Sequence, residues 1–258
     1  MDIIEKSFKF VNDGREINGV IALPKGIENC PLVVMNHGFA GSKEEGIGFV
    51  SISRALAEKG IAAVRFDFSG CGASTVPFSE FSLTNNISDS NAVLKYILSS
   101  ESIDKERLGI LGYSMGGRLA IMITDKEDNP YKAMTLIAPG AQEEMDFAKK
   151  MGAKEVNGKL VIQFYGQEIE LEQAFLDDVQ SSGVIMKNAT KKVDSIVFSG
   201  TEDILVEPET CKEISSKLGS KLFTIEGANH SYGFYEDGNI DYVNKIVKET
   251  VDFFCDKL

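Results

Sequence analysis

From residue 1 to about 140, short continuous apolar runs alternate with amphipathic stretches. Pro31 to Asn36, Ile61 to Phe66 and Arg107 to Gly112 have the length and unbroken hydrophobicity of strands buried on both faces of a sheet. Between them, Ile47 to Lys59 and Asn86 to Leu98 carry apolar residues at helical spacing. This repetition of strand, helix and strand predicts an α/β fold built on a mainly parallel, doubly wound sheet.

Further segments extend the pattern to a sheet of about eight strands. Lys6 to Val11 and Glu16 to Leu23 predict an N-terminal hairpin around an Asp-Gly turn. The alternation stops near residue 140, where Leu160 to Tyr165 has the pattern of an isolated strand in acidic, weakly periodic sequence, and it resumes near residue 191. The sequence therefore predicts a core divided between residues 1–139 and 191–258, with an inserted lid at 140–190.

Composition excludes several functions. The chain has 258 residues, 43% of them hydrophobic, and can bury a sizeable core. Its net charge of -12 argues against binding to nucleic acid or anionic membranes, which requires clustered Lys and Arg. The N-terminus is charged early and no apolar run reaches the roughly 18 residues of a membrane span, so we expect a cytoplasmic protein. Cys30, Cys71, Cys211 and Cys255 are too scattered to indicate a zinc site or a disulfide framework.

The segment Gly112 to Gly117 (GYSMGG) lies between a predicted strand and a predicted helix at Met115 to Thr124. This is the context that a GxSxG nucleophile elbow requires. Glycines two positions on either side of Ser114 leave room for the neighbouring strand and helix. Ser114 is therefore the candidate nucleophile, and the alternative is an ordinary glycine-rich turn.

The turn His37-Gly38-Phe39 follows the first buried strand, where one half of an oxyanion hole forms in such sheets. We expect the backbone N–H groups of Phe39 and Met115 to be the two donors. Only two histidines occur in the chain, and His37 is interpreted as a structural residue of this turn. His230, in a loop after the last predicted strand, is the candidate general base.

A carboxylate is expected where the strand Ser195 to Ser199 ends. Asp203 follows this strand and gives the chain order Ser, Asp, His, which differs from the orders of chymotrypsin-like and subtilisin-like enzymes. Glu202 is adjacent and is the alternative acid, because either carboxylate can orient an imidazole.

These motifs resemble the alpha/beta-hydrolase superfamily over nearly the whole chain. Asp67 to Ser74 (DFSGCGAS) also resembles the DxxGxGxS loop of that family. The His-Gly-Phe turn, the short lid and the Gly227 to His230 turn are most similar to bacterial cinnamoyl and feruloyl esterases. Tyr113 and Cys71 stand where those esterases usually have histidine, which leaves the substrate class open.

The resemblance implies a serine carboxylesterase that cleaves a small ester through an acyl-enzyme, with a cinnamoyl or feruloyl ester as the finer expectation. Neither a metal nor an organic cofactor is expected. In those esterases polar lid residues hold the aromatic hydroxyls, and Gln163 and Tyr165 lie in the matching region. The expected partner is a small-molecule ester. The sequence leaves the oligomeric state open, a homodimer included.

Other functions remain compatible with the motifs. A lipase, thioesterase or peptidase would use the same triad on the same fold, and a non-catalytic binding protein could retain the fold without the chemistry. A nucleotide-binding enzyme is disfavoured, because neither GxGxxG nor GxxxxGKS/T occurs in the chain.

Overall fold

The computed structural model describes residues 2–144, 146–164, 166–235 and 239–258. The strands are β1 (Ile3–Asn12), β2 (Arg15–Pro24), β3 (Cys30–Asn36), β4 (Ala62–Asp67), β5 (Ile103–Tyr113), β6 (Ala133–Ile137), β7 (Lys154–Val156), β8 (Lys159–Phe164), β9 (Gln167–Leu171), β10 (Asp194–Gly200) and β11 (Lys221–Ile225). The helices are α1 (Gly48–Glu58), α2 (Leu83–Ser100), α3 (Met115–Thr124), α4 (Phe147–Lys150), α5 (Gln173–Ser181), α6 (Gly183–Asn188), α7 (Pro208–Leu218) and α8 (Ile240–Lys257).

Eight of these strands form one sheet in the order β1-β2-β4-β3-β5-β6-β10-β11. The hairpin β1–β2 is antiparallel and β2 pairs antiparallel with β4, whereas the strands from β4 to β11 run parallel. This arrangement confirms the predicted α/β class and its mainly parallel sheet. It also explains the unbroken apolar runs, since every residue of β3, β4 and β6 is buried.

The carboxyl ends of the central strands meet at one edge of the sheet. The loops after β3, β5 and β10 all emerge there, and the loop after β11 returns to the same edge. Residues that are far apart in the chain therefore come together, as is usual for ligand sites in open parallel sheets.

The connection from β6 to β10 differs from the rest of the chain, and we call residues 140–190 the β6–β10 segment. It contains a three-stranded antiparallel sheet, β7-β8-β9, together with α4, α5 and α6. A strand is present as predicted from Leu160 to Phe164, but the expectation that it is isolated was wrong, because β8 pairs on both sides. β7 is three exposed residues long, and β9 alternates only from Ile169 to Leu171, so each carries too little apolar pattern to mark a strand by itself.

Candidate active site

Ser114 sits at a sharp turn between β5 and α3. Its backbone is in the left-handed region, with φ 54° and ψ −117°, which is a strained conformation for a residue with a side chain. A Cβ on Gly112 would lie 2.2 Å from the Gly116 carbonyl oxygen, and one on Gly116 would lie 2.0 Å from the Asn36 carbonyl oxygen. Both positions therefore have to be glycine for the turn to close.

The structure brings Ser114, His230 and Asp203 into one hydrogen-bonded chain. The Nε2 atom of His230 lies 2.9 Å from the Ser114 hydroxyl oxygen, and its Nδ1 atom lies 2.8 Å from Oδ2 of Asp203. A carboxylate only accepts, so Nδ1 carries the proton and Nε2 is free to accept the serine proton. The 27 and 116 residues that separate these pairs in sequence are bridged by the loops at one sheet edge.

Asp203, rather than Glu202, makes the contact with the imidazole. The Asp203 side chain is fully buried, and its Oδ1 accepts hydrogen bonds from the N–H groups of Leu205 (2.9 Å) and Val206 (2.8 Å). Glu202 is exposed to solvent. The two backbone donors fix the carboxylate, so its second oxygen is held toward His230.

His37 holds the turn after β3, as its position in the sequence suggested. The ring is 1% exposed, and Nε2 accepts a hydrogen bond from the Phe68 N–H at 3.0 Å. Nδ1 therefore carries the proton and donates to the Gly38 carbonyl at 2.8 Å. Burial lowers the pKa of His37 to about 4, so the ring is neutral near pH 7.

The two predicted oxyanion donors lie beside the nucleophile. Met115 is the first residue of α3, whose N–H groups have no partner within the helix. Phe39 follows Gly38, where an added Cβ would lie only 3.4 Å from the Ser114 Cβ. Within the described ranges, neither the Phe39 nor the Met115 amide donates a hydrogen bond to the protein. Both remain available to a bound oxyanion.

A cavity of about 1140 Å³ opens above Ser114 and His230. The turn after β3 forms one wall and the β6–β10 segment forms the opposite one. The apolar side chains that line it are mainly aromatic or thioether groups: Phe39, Phe78, Met115, Phe147, Met151 and Phe164. The Phe39 ring packs against several of them, with ring centroids 4.8 Å from Phe147 and 5.4 Å from Phe164.

Of the two predicted substrate contacts, Gln163 lies on the exposed face of β8. There its side-chain amide donates to Glu168 at 3.2 Å, and Gln163 is not among the described residues that line the cavity. Successive side chains of a strand point to opposite faces, so it is the neighbour Phe164 that reaches the cavity. Tyr165 lies outside the described residues.

Tyr113 makes a contact with the His230 loop that the sequence motifs did not predict. Its hydroxyl donates to the His230 carbonyl at 2.6 Å, and its ring stacks on the imidazole with centroids 5.4 Å apart. Tyr113 precedes the nucleophile directly, so it ties the elbow to the loop that carries the histidine. The only sequence signal was that a tyrosine stands where related esterases usually have histidine.

Among the described residues, no group of three or more His, Cys, Asp and Glu side chains is arranged to hold a metal ion. A search of the same residues for helices long and apolar enough to cross a membrane also finds none.

Comparison with curated proteins gives partial matches. An abhydrolase domain-containing protein of Dictyostelium discoideum is 23% identical over 207 residues, covering 80% of this chain and 48% of that protein. An uncharacterized 31.7 kDa protein from the traX-finO intergenic region of Escherichia coli is 30% identical over 95 residues, covering 37% of this chain and 32% of that protein. The chain thus spans half or less of the length of these relatives.

Solved structures match over nearly the full chain. Est1E from Butyrivibrio proteoclasticus, with bound ferulic acid, superposes with a TM-score of 0.75 at 22% identity and covers 96% of this chain and 99% of its own. The esterase domain of a Rhodothermus marinus protein gives 0.71 at 19% identity, covering 98% and 97%. These likenesses show the fold. The family model for the alpha/beta hydrolase fold matches residues 31–168, more than half of the chain, and the chain therefore belongs to that family.

Proposed function

We propose that the protein is a serine carboxylesterase in which Ser114 is the nucleophile, His230 the general base and Asp203 the acid that orients it. The observation that carries this proposal is the hydrogen-bonded chain from Asp203 through His230 to Ser114, at 2.8 and 2.9 Å, on the floor of the cavity. Both separations are within the reach that general-base activation of a serine requires.

In the first half of the reaction, the Ser114 oxygen attacks the ester carbonyl while Nε2 of His230 takes the hydroxyl proton. The negative charge that develops on the carbonyl oxygen is stabilised by the Phe39 and Met115 amides and by the positive end of α3. His230 then gives the proton to the departing alkoxide, and an acyl-enzyme remains.

In the second half, water takes the place of the alcohol. His230 removes a proton from the water, the hydroxide attacks the acyl carbonyl, and the proton returns to the Ser114 oxygen as the carboxylic acid leaves. Asp203 stays ionised and stabilises the imidazolium that forms in each half. The residues named here account for every proton transfer.

We also propose an aromatic acyl ester, of the cinnamoyl or feruloyl kind, as the substrate class. Support comes from the phenyl groups of Phe39, Phe78, Phe147 and Phe164 around the cavity, because edge-to-face contacts favour a flat aromatic ligand. The similar structure of Est1E contains ferulic acid. The β6–β10 segment is proposed to act as the lid of this cavity.

Replacing Ser114 with alanine tests the nucleophile. The variant should keep the fold and lower kcat for p-nitrophenyl acetate by about 10⁴ to 10⁶-fold, and it should no longer be labelled by a fluorophosphonate. Ser99→Ala, on the exposed side of α2, is the matched control and should behave as the wild type. Wild-type activity in Ser114→Ala would end the proposal, whereas an inactive, unlabelled wild type would favour a non-catalytic binding protein.

A substrate panel tests the acyl preference. We expect kcat/KM for methyl ferulate to exceed that for short aliphatic esters of matched reactivity by about tenfold, which corresponds to about 1.4 kcal/mol. A preference for aliphatic esters would discard the cinnamoyl class and keep the esterase. Faster cleavage of long-chain esters, thioesters or peptide amides would identify a lipase, a thioesterase or a peptidase instead.

A further inference from the structure

Glu45 is a buried carboxyl group that the proposed mechanism does not use. It lies in the loop between β3 and α1, is 1% exposed, and has a left-handed backbone with φ 40°. Burying a carboxyl group is unfavourable unless its oxygens are hydrogen-bonded, and a left-handed backbone adds further strain. Because Glu45 combines a buried carboxyl group with a left-handed backbone, we expect its side chain to fix the position of the backbone groups around it.

Its two oxygens contact the two loops that carry the proposed chemistry. Oε1 accepts a hydrogen bond from the Gly38 N–H at 2.7 Å, and Gly38 directly precedes the proposed oxyanion donor Phe39. Oε2 is hydrogen-bonded to the hydroxyl of Tyr235, which lies in the loop that follows His230. One side chain therefore joins the oxyanion turn to the loop that carries the base.

The surroundings of Glu45 are closely packed against this carboxyl. A Cβ on Gly41 would lie 2.3 Å from Oε1, and a Cβ on Gly46 would lie 1.8 Å from the Phe234 carbonyl oxygen. The Ile47 N–H also donates to that carbonyl at 2.7 Å. The two loops thus touch along several residues, and the Glu45 carboxyl occupies the space between them.

We propose that Glu45 is a positioning residue for catalysis: it fixes the Gly38 amide and, through Tyr235, the His230 loop, so that the Phe39 amide is aimed at the oxyanion. This inference rests on the proposed esterase function. Because the donors of an oxyanion hole work only when they are fixed in advance, loosening this turn should weaken transition-state binding more than substrate binding.

The role needs hydrogen bonds and not a charge. Burial raises the pKa of Glu45 to about 7, so both protonation states are populated near neutral pH. The ionised form accepts from Gly38 and from Tyr235. The neutral form still accepts from the Gly38 N–H and donates its own proton to the Tyr235 oxygen. A glutamine amide can make the same two contacts as the neutral acid.

This equivalence gives a matched set of variants. Glu45→Gln keeps both hydrogen bonds, Glu45→Ala removes both, and the two impose a similar backbone cost at a positive φ. Glu44→Ala is the control, because the neighbouring Glu44 carboxylate is 43% exposed and its ion pairs with Lys43 and with the buried Arg65 are both long, at 3.5 Å. Reactive sites in each preparation are counted by complete labelling with a fluorophosphonate, so that kcat refers to folded protein.

With p-nitrophenyl acetate, we expect Glu45→Ala to lower kcat by about 10 to 100-fold with KM changed less than about threefold, somewhat below the loss of a whole oxyanion donor. Glu45→Gln should stay within about threefold of the wild type, and Glu44→Ala should be unchanged. An unaltered kcat in Glu45→Ala, or an equal loss in Glu45→Gln, would overturn the proposal.

If Glu45→Ala does not fold, the variant Tyr235→Phe tests the same proposal. It removes one of the two contacts without altering the left-handed position, and kcat should fall by roughly 3 to 10-fold at constant KM. Wild-type kcat in a folded Tyr235→Phe protein would refute the role of Glu45. A wild-type protein that neither turns over esters nor reacts with the fluorophosphonate would instead refute the esterase function itself.

Discussion

The two walls of the cavity are built in different ways. The core wall comes from loops at strand ends, and its groups are held by buried hydrogen bonds such as those from Leu205 and Val206 to Asp203. The opposite wall comes from the β6–β10 segment, whose small sheet is charged and largely exposed and reaches the core mainly through side-chain packing. Under the proposed function, we expect the chemistry to depend on the core wall and the fit of the substrate to depend on the segment. Four predictions test this division, from the largest expected effect to the smallest.

The largest effect is expected from Asp203 in the core wall. Asp203→Asn keeps the shape of the side chain but favours the wrong imidazole tautomer, so kcat should fall by about 10³ to 10⁴-fold. Glu202→Gln, one residue away and exposed, should leave kcat unchanged. Steady-state kinetics measures kcat for both variants. A large loss of kcat in Glu202→Gln with an unchanged kcat in Asp203→Asn would assign the acid to Glu202.

Arg118 joins the two walls, and its loss should be costly for stability. The guanidinium is fully buried on α3 and donates to the carbonyls of Gly140 (2.7 Å), Gln142 (3.0 Å) and Val179 (2.9 Å) and to the Ser182 hydroxyl (2.7 Å). It thereby fastens the start of the β6–β10 segment and the end of α5 to the core.

Arg118→Met removes the donor from the Gly140 and Gln142 carbonyls, while the Val179 carbonyl keeps its hydrogen bond from the Ser182 hydroxyl. The change should reduce the free energy of unfolding by about 3 kcal/mol. Arg54→Met on α1 is the control, because that side chain is 52% exposed and its ion pair with Glu5 should contribute at most about 1 kcal/mol. Urea unfolding measures both. If Arg118→Met lost no more free energy of unfolding than Arg54→Met, the segment would be held by its apolar contacts alone.

The core wall should also give a characteristic pH dependence of stability. Burial raises the pKa of Glu45 to about 7, whereas an unfolded glutamate titrates near 4.5. Between these values the folded state binds more protons than the unfolded state, so the free energy of unfolding falls as the pH rises from about 4.5 to about 7.

The side chain of Glu45→Gln does not titrate, so this variant lacks the pH-dependent contribution of Glu45 to stability. The stability of the wild type relative to Glu45→Gln should therefore decrease by an amount on the order of 3 kcal/mol across that interval, at about 1.4 kcal/mol for each pH unit. Urea unfolding at a series of pH values measures the difference. Parallel profiles for the two proteins would contradict the raised pKa.

The smallest effect is expected from Phe164 in the segment wall. Phe164→Ala removes a ring that contacts Phe39 and should raise KM for an aryl ester by about 3 to 10-fold while kcat changes less than threefold. Gln163→Ala, on the opposite face of the same strand, should have no effect. A large loss of kcat in Phe164→Ala would contradict the expectation that the segment wall affects substrate binding and not the chemical step.

Most of the core could be predicted because its signals are local. The predicted bounds of α3 match the structure, and the elbow at Ser114 follows from glycines within two residues. The β6–β10 segment was predicted less well. Its strands β7 and β9 are only three and five residues long and carry little apolar pattern, so their pairing with β8 could not be foreseen from the sequence.

Within the candidate site, residues with a motif were found and residues without one were not. Ser114, His230 and the Phe39 turn have recognisable contexts in the sequence. Glu45 and Arg118 do not, because charged residues are nearly always exposed and their burial cannot be inferred from neighbours in the chain. The sequence favoured Asp203 and left Glu202 as the alternative, and the fold decided between them by burying the Asp203 carboxylate beside His230.

Outside the β6–β10 segment, the sequence alone predicted the alternation of strands and helices, the strained serine turn, a structural role for His37 and His230 as the candidate base. Each of these depends on residues close together in the chain or on there being only two histidines. Tertiary structure alone decided which carboxylate meets His230, which side chains line the cavity and what the buried Glu45 holds. The two contacts of Glu45 reach partners 7 and 190 residues away along the chain, and only the folded sheet brings the more distant partner to the same edge.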